Sequence, residues 1–186
     1  MKMAFENYSN WYPTMDDKGS LQRAFDAHQT VAECLGIVKR ASGSDAHLIR
    51  NSRFDRMGPV AISTMIGDGQ IHLDDGAIVS MWSHFERFII EFVQAQSAQL
   101  EQAHPPTFSV RLAAKFVDEV ERWRPAEMLD LFRDEFAATE LGEIKRIKRY
   151  RDWIAHRNPK LETPNRPTPN AAFRVLSDVI LRIRAM

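Results

Sequence analysis

The chain has 186 residues, of which 44% are hydrophobic and 10% aromatic, so it is long enough for one domain with a sizeable buried core. Its 25 basic residues balance its 25 acidic residues, which excludes a partner selected by overall charge alone. The single cysteine excludes an internal disulfide and a cysteine-rich metal site, and no apolar run is long enough for a signal peptide or a membrane span, so we expect a soluble cytoplasmic protein.

The first 74 residues are predicted to form an N-terminal helical arm followed by a less regular segment. Ser20 is suited to cap a helix that extends to about Arg40, because apolar side chains recur there every three or four residues. His28 lies within this apolar stripe, which favours a buried structural histidine over a catalytic one.

Residues 58–76 lack the helical repeat seen on either side. Val60 and Ile62 are β-compatible, and the Gly-Asp-Gly sequence at 67–69 is a turn signal. A small β-hairpin near 60–73 and an irregular loop therefore both remain open.

The rest of the chain is dominated by helical patterns. A long helix is predicted from Asp74 or Asp75 to about Ala103, where His-Pro-Pro ends it. Further helices are predicted at 108–123, 125–137, 139–157 and about 170–185, with a four-proline loop or extended strap at 158–170. We therefore predict a mostly α helical bundle in a single domain, residues 1–186, made of an N-terminal segment at 1–74, a helical core at 75–157, and the strap with a C-terminal helix at 158–186.

Charge is unevenly distributed along this helical region. Residues 117–143 contain nine acidic and three basic residues, whereas residues 144–160 contain seven basic residues and Asp152 alone as an acid. A basic helix can supply contacts to the phosphates of a nucleic acid. It can equally lie beside the acidic helices or form a solvated face.

The stretch RYRDWIAHRNP at 149–159 places a cation in an apolar stripe. Arg151 falls between Ile144 and Ile147 on the helical repeat, and burying a guanidinium alone is costly. It must reach the edge of the stripe or meet a carboxylate. Glu86, in the apolar run SHFERFIIEF, is the best candidate, and we expect the two side chains to pair across the two central helices.

His156 falls on another side of the same helix, beside Arg149 and Asp152. Residues five apart do not stack on a helix, so a joint Arg151–His156 site requires the arginine stem to reach round or the helix to loosen before the proline. A histidine at a helix C-terminus can also be a simple dipole-stabilised cap. Trp153 is turned away from the core stripe, which suits an interface anchor or a side chain covered by the strap or the C-terminal helix.

These residues resemble a known family. RYRDWIAHRNP is similar to the Arg-x4–6-His signature of HEPN domains, all-α proteins common in prokaryotic toxin and defence systems. Arg151, Asp152 and His156 match the signature positions, and Glu86 matches the acidic residue on the partner helix that faces the arginine. The resemblance covers roughly residues 75–157.

The resemblance implies a metal-independent endoribonuclease that acts as a homodimer, with RNA as substrate and an antitoxin or regulatory protein as a further partner. In that scheme the catalytic residues are Arg151, which holds phosphate oxygens, and His156, which transfers protons. Asp152 either orients the histidine ring or has no role, and Glu86 faces the arginine. Side chains expected to contact RNA are Arg149, Lys148, Arg157 and Asn158, although Asn158 can instead simply begin the turn.

The alternative is a non-catalytic HEPN-like helical module that binds RNA, a nucleotide or a protein. No glycine-rich phosphate loop, serine-hydrolase motif or metal-ligand spacing occurs in the sequence. We therefore expect neither a cofactor nor a metal ion.

Overall fold

The computed structural model describes residues 17–44, 46–156 and 162–186. Their regular elements are a 3₁₀ turn at Ala46–Ile49 and the helices α1 (Asp17–Ser44), α2 (Pro59–Ala95), α3 (Ser97–Glu101), α4 (Pro106–Val120), α5 (Pro125–Asp130), α6 (Ala138–His156) and α7 (Pro169–Arg184). These ranges contain no β-strand, and the predicted mostly α helical bundle is confirmed. None of their helices has both the length and the hydropathy that a bilayer span requires.

Helix α2 is the centre of the bundle and contacts each of the other helices. Its buried stripe includes Trp82, Phe85 and Phe88, all no more than 1% exposed. The same core receives apolar side chains from α6 and α7, among them Ile144, Ile147, Leu176 and Ile180. The apolar stripe of α2 is therefore the main packing surface, and α6 packs against it.

Both alternatives for residues 58–76 are wrong, because α2 begins at Pro59 and runs unbroken through the Gly-Asp-Gly sequence at 67–69. Ile62 and Ile66 are buried, and they pack in a second apolar cluster with side chains of α1 and the 3₁₀ turn. This packing outweighs the roughly 1 kcal/mol that each glycine costs in a helix interior. Tertiary contact has overridden a local turn signal.

Several predicted boundaries also shift. The predicted division between residues 74 and 75 falls inside α2, and the helix expected to reach Ala103 ends at Ala95, with α3 following as a separate short helix. The helix expected at 125–137 is shortened to α5 and followed by turns. The N-terminal arm at residues 1–16 lies outside the described residues.

Arg87 fastens α2 to the C-terminal end of α4. Its Nη2 donates to Glu121 Oε1 at 2.7 Å and its Nη1 donates to Oε2 at 3.2 Å. These bonds, with a further donation from Gln94, hold the pKa of the Glu121 carboxyl below its ordinary value. Because both charged groups are nearly half exposed, the pair stabilises the fold only slightly. Its main effect is to hold α2 and the end of α4 in one relative position.

Candidate nucleic-acid interface

One flank of α6 and the strap enclose an open groove of about 650 Å³. Its walls are formed by six residues of α6 and two of the strap: Lys145, Lys148, Arg149, Asp152, Trp153, His156, Glu162 and Pro164. The six helical positions are spaced by three, four and seven residues, so they share one side of α6. The prediction that His156 lies beside Arg149 and Asp152, away from the core stripe, is confirmed.

The strap is fixed to α2 by Arg166. Its Nη2 donates to the Ile71 carbonyl at 2.8 Å and lies 3.3 Å from both Asp74 Oδ2 and Asp75 Oδ1. Asp75 is buried, and its Oδ1 also accepts a hydrogen bond from the Tyr150 hydroxyl of α6 at 2.8 Å. A single buried carboxylate therefore connects α2, α6 and the strap.

His28 of α1 joins this polar network rather than the groove. Its Nε2 lies 2.8 Å from Asp74 Oδ1, which also accepts from Gln70 at 2.7 Å, and the His28 side chain is only 9% exposed. His28 is therefore largely buried and paired within the fold, as expected for a structural histidine, but its Nδ1 has no hydrogen-bond partner among the described residues. Asp74 and Asp75 were expected at the start of a helix, but they lie within α2 because that helix begins earlier.

Arg151 lies at the edge of the core, as its place in the apolar stripe requires. Its Nη2 is 3.7 Å from Glu86 Oε2 of α2, so the expected pairing across the two helices is present. Its Nε is buried and has no hydrogen-bond partner among the described residues. Glu86 also lines a small cavity of about 10 Å³ between α2 and α5, which has room for no more than a water molecule.

Asp152 bridges the two sides of α6. Its Oδ1 accepts from Arg151 Nη1 at 3.1 Å, and its Oδ2 accepts from Lys148 Nζ at 2.6 Å. The Arg151 guanidinium thus reaches Asp152, which lines the groove. The carboxylate lowers the local positive charge by neutralising part of that of its two cationic neighbours.

The side chains of Arg151 and His156 leave α6 on different sides. Helix α6 remains regular through His156, and five residues of helix separate the two side chains by about 140° around the axis. His156 and Arg149 are exposed at the groove, whereas Arg151 is about 29% exposed and faces α2.

Trp153 is half-buried and stacks on Tyr150, with ring centroids 5.9 Å apart, while its side chain also lines the groove. Residues of the strap line the same groove, and both expectations for Trp153, an interface anchor or a covered side chain, stay predictions. Two further expected RNA contacts, Arg157 and Asn158, lie outside the described residues.

Sequence reasoning missed three members of the groove wall. Lys145 falls on the same side of the helical repeat as Asp152 and His156, so the repeat alone was sufficient to predict its place in the groove wall. Glu162 and Pro164 carried none, because their position depends on where the strap crosses α6.

The Glu86–Arg151 contact is expected to couple the two side chains energetically. In a double-mutant cycle of Glu86→Gln and Arg151→Lys, we expect a coupling free energy of about 0.5–1 kcal/mol, since both groups are partly screened by solvent. Urea unfolding of the four proteins measures it. Additive effects would reject the pairing as a stabilising contact.

Within the described ranges, no three His, Cys, Asp or Glu side chains are grouped so as to hold a metal ion.

No family model, curated protein or solved structure matches the chain.

Proposed function

We propose that this chain is a HEPN-type endoribonuclease of the toxin or defence class that cuts RNA by attack of the 2′-hydroxyl, without a metal ion. The observation that supports this most is an exposed imidazole, His156, at a groove whose helical wall also presents Arg149 and Lys145. Neither cation is ion-paired among the described residues, so both are available to phosphate. A proton-transferring group beside unneutralised cations is what this reaction requires.

The chemistry needs one base and one acid. A neutral His156 takes the proton from the 2′-hydroxyl, and the 2′-oxygen forms a bond to phosphorus. The bond from phosphorus to the 5′-oxygen then breaks, and a protonated imidazole returns a proton to that oxygen. The products are a 2′,3′-cyclic phosphate and a 5′-hydroxyl. A guanidinium that binds the non-bridging oxygens stabilises the negative charge of the phosphorus centre in the transition state.

A homodimer supplies the second imidazole. In a two-fold assembly one His156 acts as the base and the other as the acid, and Arg151 of either chain can approach the phosphate held by its partner. The angular separation of Arg151 and His156 on α6 supports this arrangement, because the two side chains leave the helix on different sides. A regulatory protein or antitoxin that covers the groove would block it.

A second candidate function is a non-catalytic helical module that binds RNA, a nucleotide or a protein. It is favoured by the surroundings of Arg151, whose two Nη atoms both face carboxylates of its own chain, Glu86 and Asp152. An arginine so engaged stabilises the junction of α2 and α6. Binding without cleavage would then be the measurable activity.

The purified chain is expected to cleave RNA in the presence of excess EDTA, to leave DNA of the same sequence intact, and to release 2′,3′-cyclic phosphate ends. Its specific activity should rise with protein concentration across the range in which sedimentation detects dimer formation. Mass spectrometry of the products and analytical ultracentrifugation measure these properties.

RNA methylated at every 2′-oxygen is the matched control and should bind without being cut. Cleavage that EDTA abolishes would contradict the mechanism. Binding of unmodified RNA with no cleavage at any protein concentration would support the non-catalytic module instead.

A further inference from the structure

Trp153 is the one large aromatic side chain among the residues that line the groove in the described part of the chain. It packs on Tyr150, which is itself buried and hydrogen-bonded to Asp75. One side of the indole therefore packs on a fixed side chain, and the indole remains partly exposed at the groove. A pre-positioned aromatic surface of this kind binds a flat ring at a low entropic cost.

Two cations flank this surface on the same side of α6. Arg149 is one helical turn before Trp153 and Lys145 is one turn earlier, so their stems lie in sequence along the groove, about 6 Å apart along the axis. Both are exposed, and neither is ion-paired within the described residues. An aromatic surface next to a line of unpaired cations matches the alternation of bases and phosphates in a nucleic-acid strand.

The opposite wall limits what can enter. Pro164 and Glu162 of the strap stand across from α6, and Arg166 holds the strap in place through Ile71 and the two aspartates of α2. The Glu162 carboxylate repels phosphate, so the backbone of a bound strand is directed to the α6 side. The volume of about 650 Å³ lies within the roughly 300–1,000 Å³ of pockets that bind small organic ligands, which suits a base with its ribose.

We infer that the groove binds single-stranded RNA, with one unpaired base stacked on Trp153 and the adjoining phosphates bound by Arg149 and Lys145. This inference rests on the proposed ribonuclease function and adds the form of its substrate. The bases of a duplex are stacked on each other and cannot stack on a side chain, whereas an unpaired base can. The stacked base would fix the register of the strand, so that a neighbouring linkage lies at His156.

Fluorescence anisotropy with a short labelled RNA, methylated at its 2′-oxygens to prevent cleavage, tests this. The wild-type chain is expected to bind the single strand more tightly than the corresponding duplex. Trp153→Ala should weaken binding of the single strand by about tenfold or more, and Trp153→Phe, which keeps an aromatic ring, by about threefold or less. Trp123→Ala removes a half-buried tryptophan outside the groove and is expected to leave binding unchanged.

Salt dependence separates stacking from charge. Arg149→Ala should reduce the slope of log affinity against log salt by about 0.7, the value for one phosphate contact to a single strand, whereas Trp153→Ala should leave the slope unchanged. If Trp153→Ala does not fold, the stacking contribution can be measured with the wild-type chain and an RNA whose central bases are removed. That abasic strand is expected to bind about tenfold more weakly than the intact one.

The possible outcomes distinguish this inference from the function on which it rests. Cleavage or binding of RNA that is indifferent to Trp153→Ala and to base removal would overturn the inference and leave the ribonuclease proposal standing. Equal affinity of the wild-type chain for single-stranded and duplex RNA would also overturn the inference. The same holds if Trp153→Ala no longer dimerises but keeps its affinity for RNA. Equal affinity for polyglutamate would identify a general anion site and overturn it too, and a wild-type chain that neither binds nor cuts RNA rejects both proposals.

Discussion

His156→Ala is expected to lower the rate of RNA cleavage by about a hundredfold or more while leaving the helical fold intact. Proton transfer by a positioned side chain contributes about 10²–10⁴ to a rate, and a dimer built from this variant loses both its base and its acid. The side chain is exposed at the last residue of α6, so its removal opens no cavity in the core. Initial rates of cleavage with a fluorogenic RNA, together with circular dichroism of the variant, measure the two effects.

His72→Ala is the matched control, because His72 is an exposed histidine on α2 outside the groove. It should cleave RNA at the wild-type rate. Cleavage retained by a clean preparation of His156→Ala would remove the proposed mechanism, since no other histidine lines the groove within the described residues. RNA affinity should change much less than rate, because the imidazole is only one of several groups that line the groove.

Asp75→Ala is expected to lower the free energy of unfolding by about 2–3 kcal/mol. The buried carboxylate accepts a hydrogen bond from Tyr150 and faces the Arg166 guanidinium, and hydrogen bonds to a charged group contribute about 1.5–3 kcal/mol. Its removal also takes the carboxylate away from the buried Tyr150 hydroxyl, which adds to the cost. For a chain of this length the melting temperature should fall by roughly 4–12 °C.

Urea unfolding followed by circular dichroism measures the loss, and the exposed Asp68→Ala on the same helix is the control, expected to change stability by less than about 0.5 kcal/mol. Tyr150→Phe, which removes only the hydroxyl, should cost about 1 kcal/mol. Because the two side chains share one hydrogen bond, the double variant should be less destabilised than the sum of the single ones. A fully additive result, or an Asp75→Ala protein as stable as the wild type, would show that this network does not hold α6 and the strap together.

The network also links stability to the proposed activity. Arg166 fixes the strap to α2 while Tyr150 fixes α6 to the same helix, so both walls of the groove are positioned through Asp75. Trp153 stacks on Tyr150 and therefore depends on the same arrangement.

The face of α6 was determined by the sequence alone. The repeat of 3.6 residues is a local property of the helix, so it placed Arg149, Asp152 and His156 together and turned Arg151 toward the core before any tertiary contact was known. The cost of burying a guanidinium then pointed to Glu86, a prediction that the 3.7 Å contact confirms. Both arguments succeed because they need only helical geometry and the energetics of one charged group.

Residues 58–76 and the strap were decided by tertiary structure. The Gly-Asp-Gly turn signal is a weak local preference, and burial of Ile62 and Ile66 in the cluster shared with α1 outweighed it, so the chain continued as a helix. Likewise, no local pattern in a proline-rich segment predicts that Arg166 meets Asp74 and Asp75, which precede it by more than ninety residues. The sequence determined which side chains share the helical wall of the groove, whereas only packing between distant segments decided that the groove has a second wall, because local preferences do not contain the free energy of long-range burial.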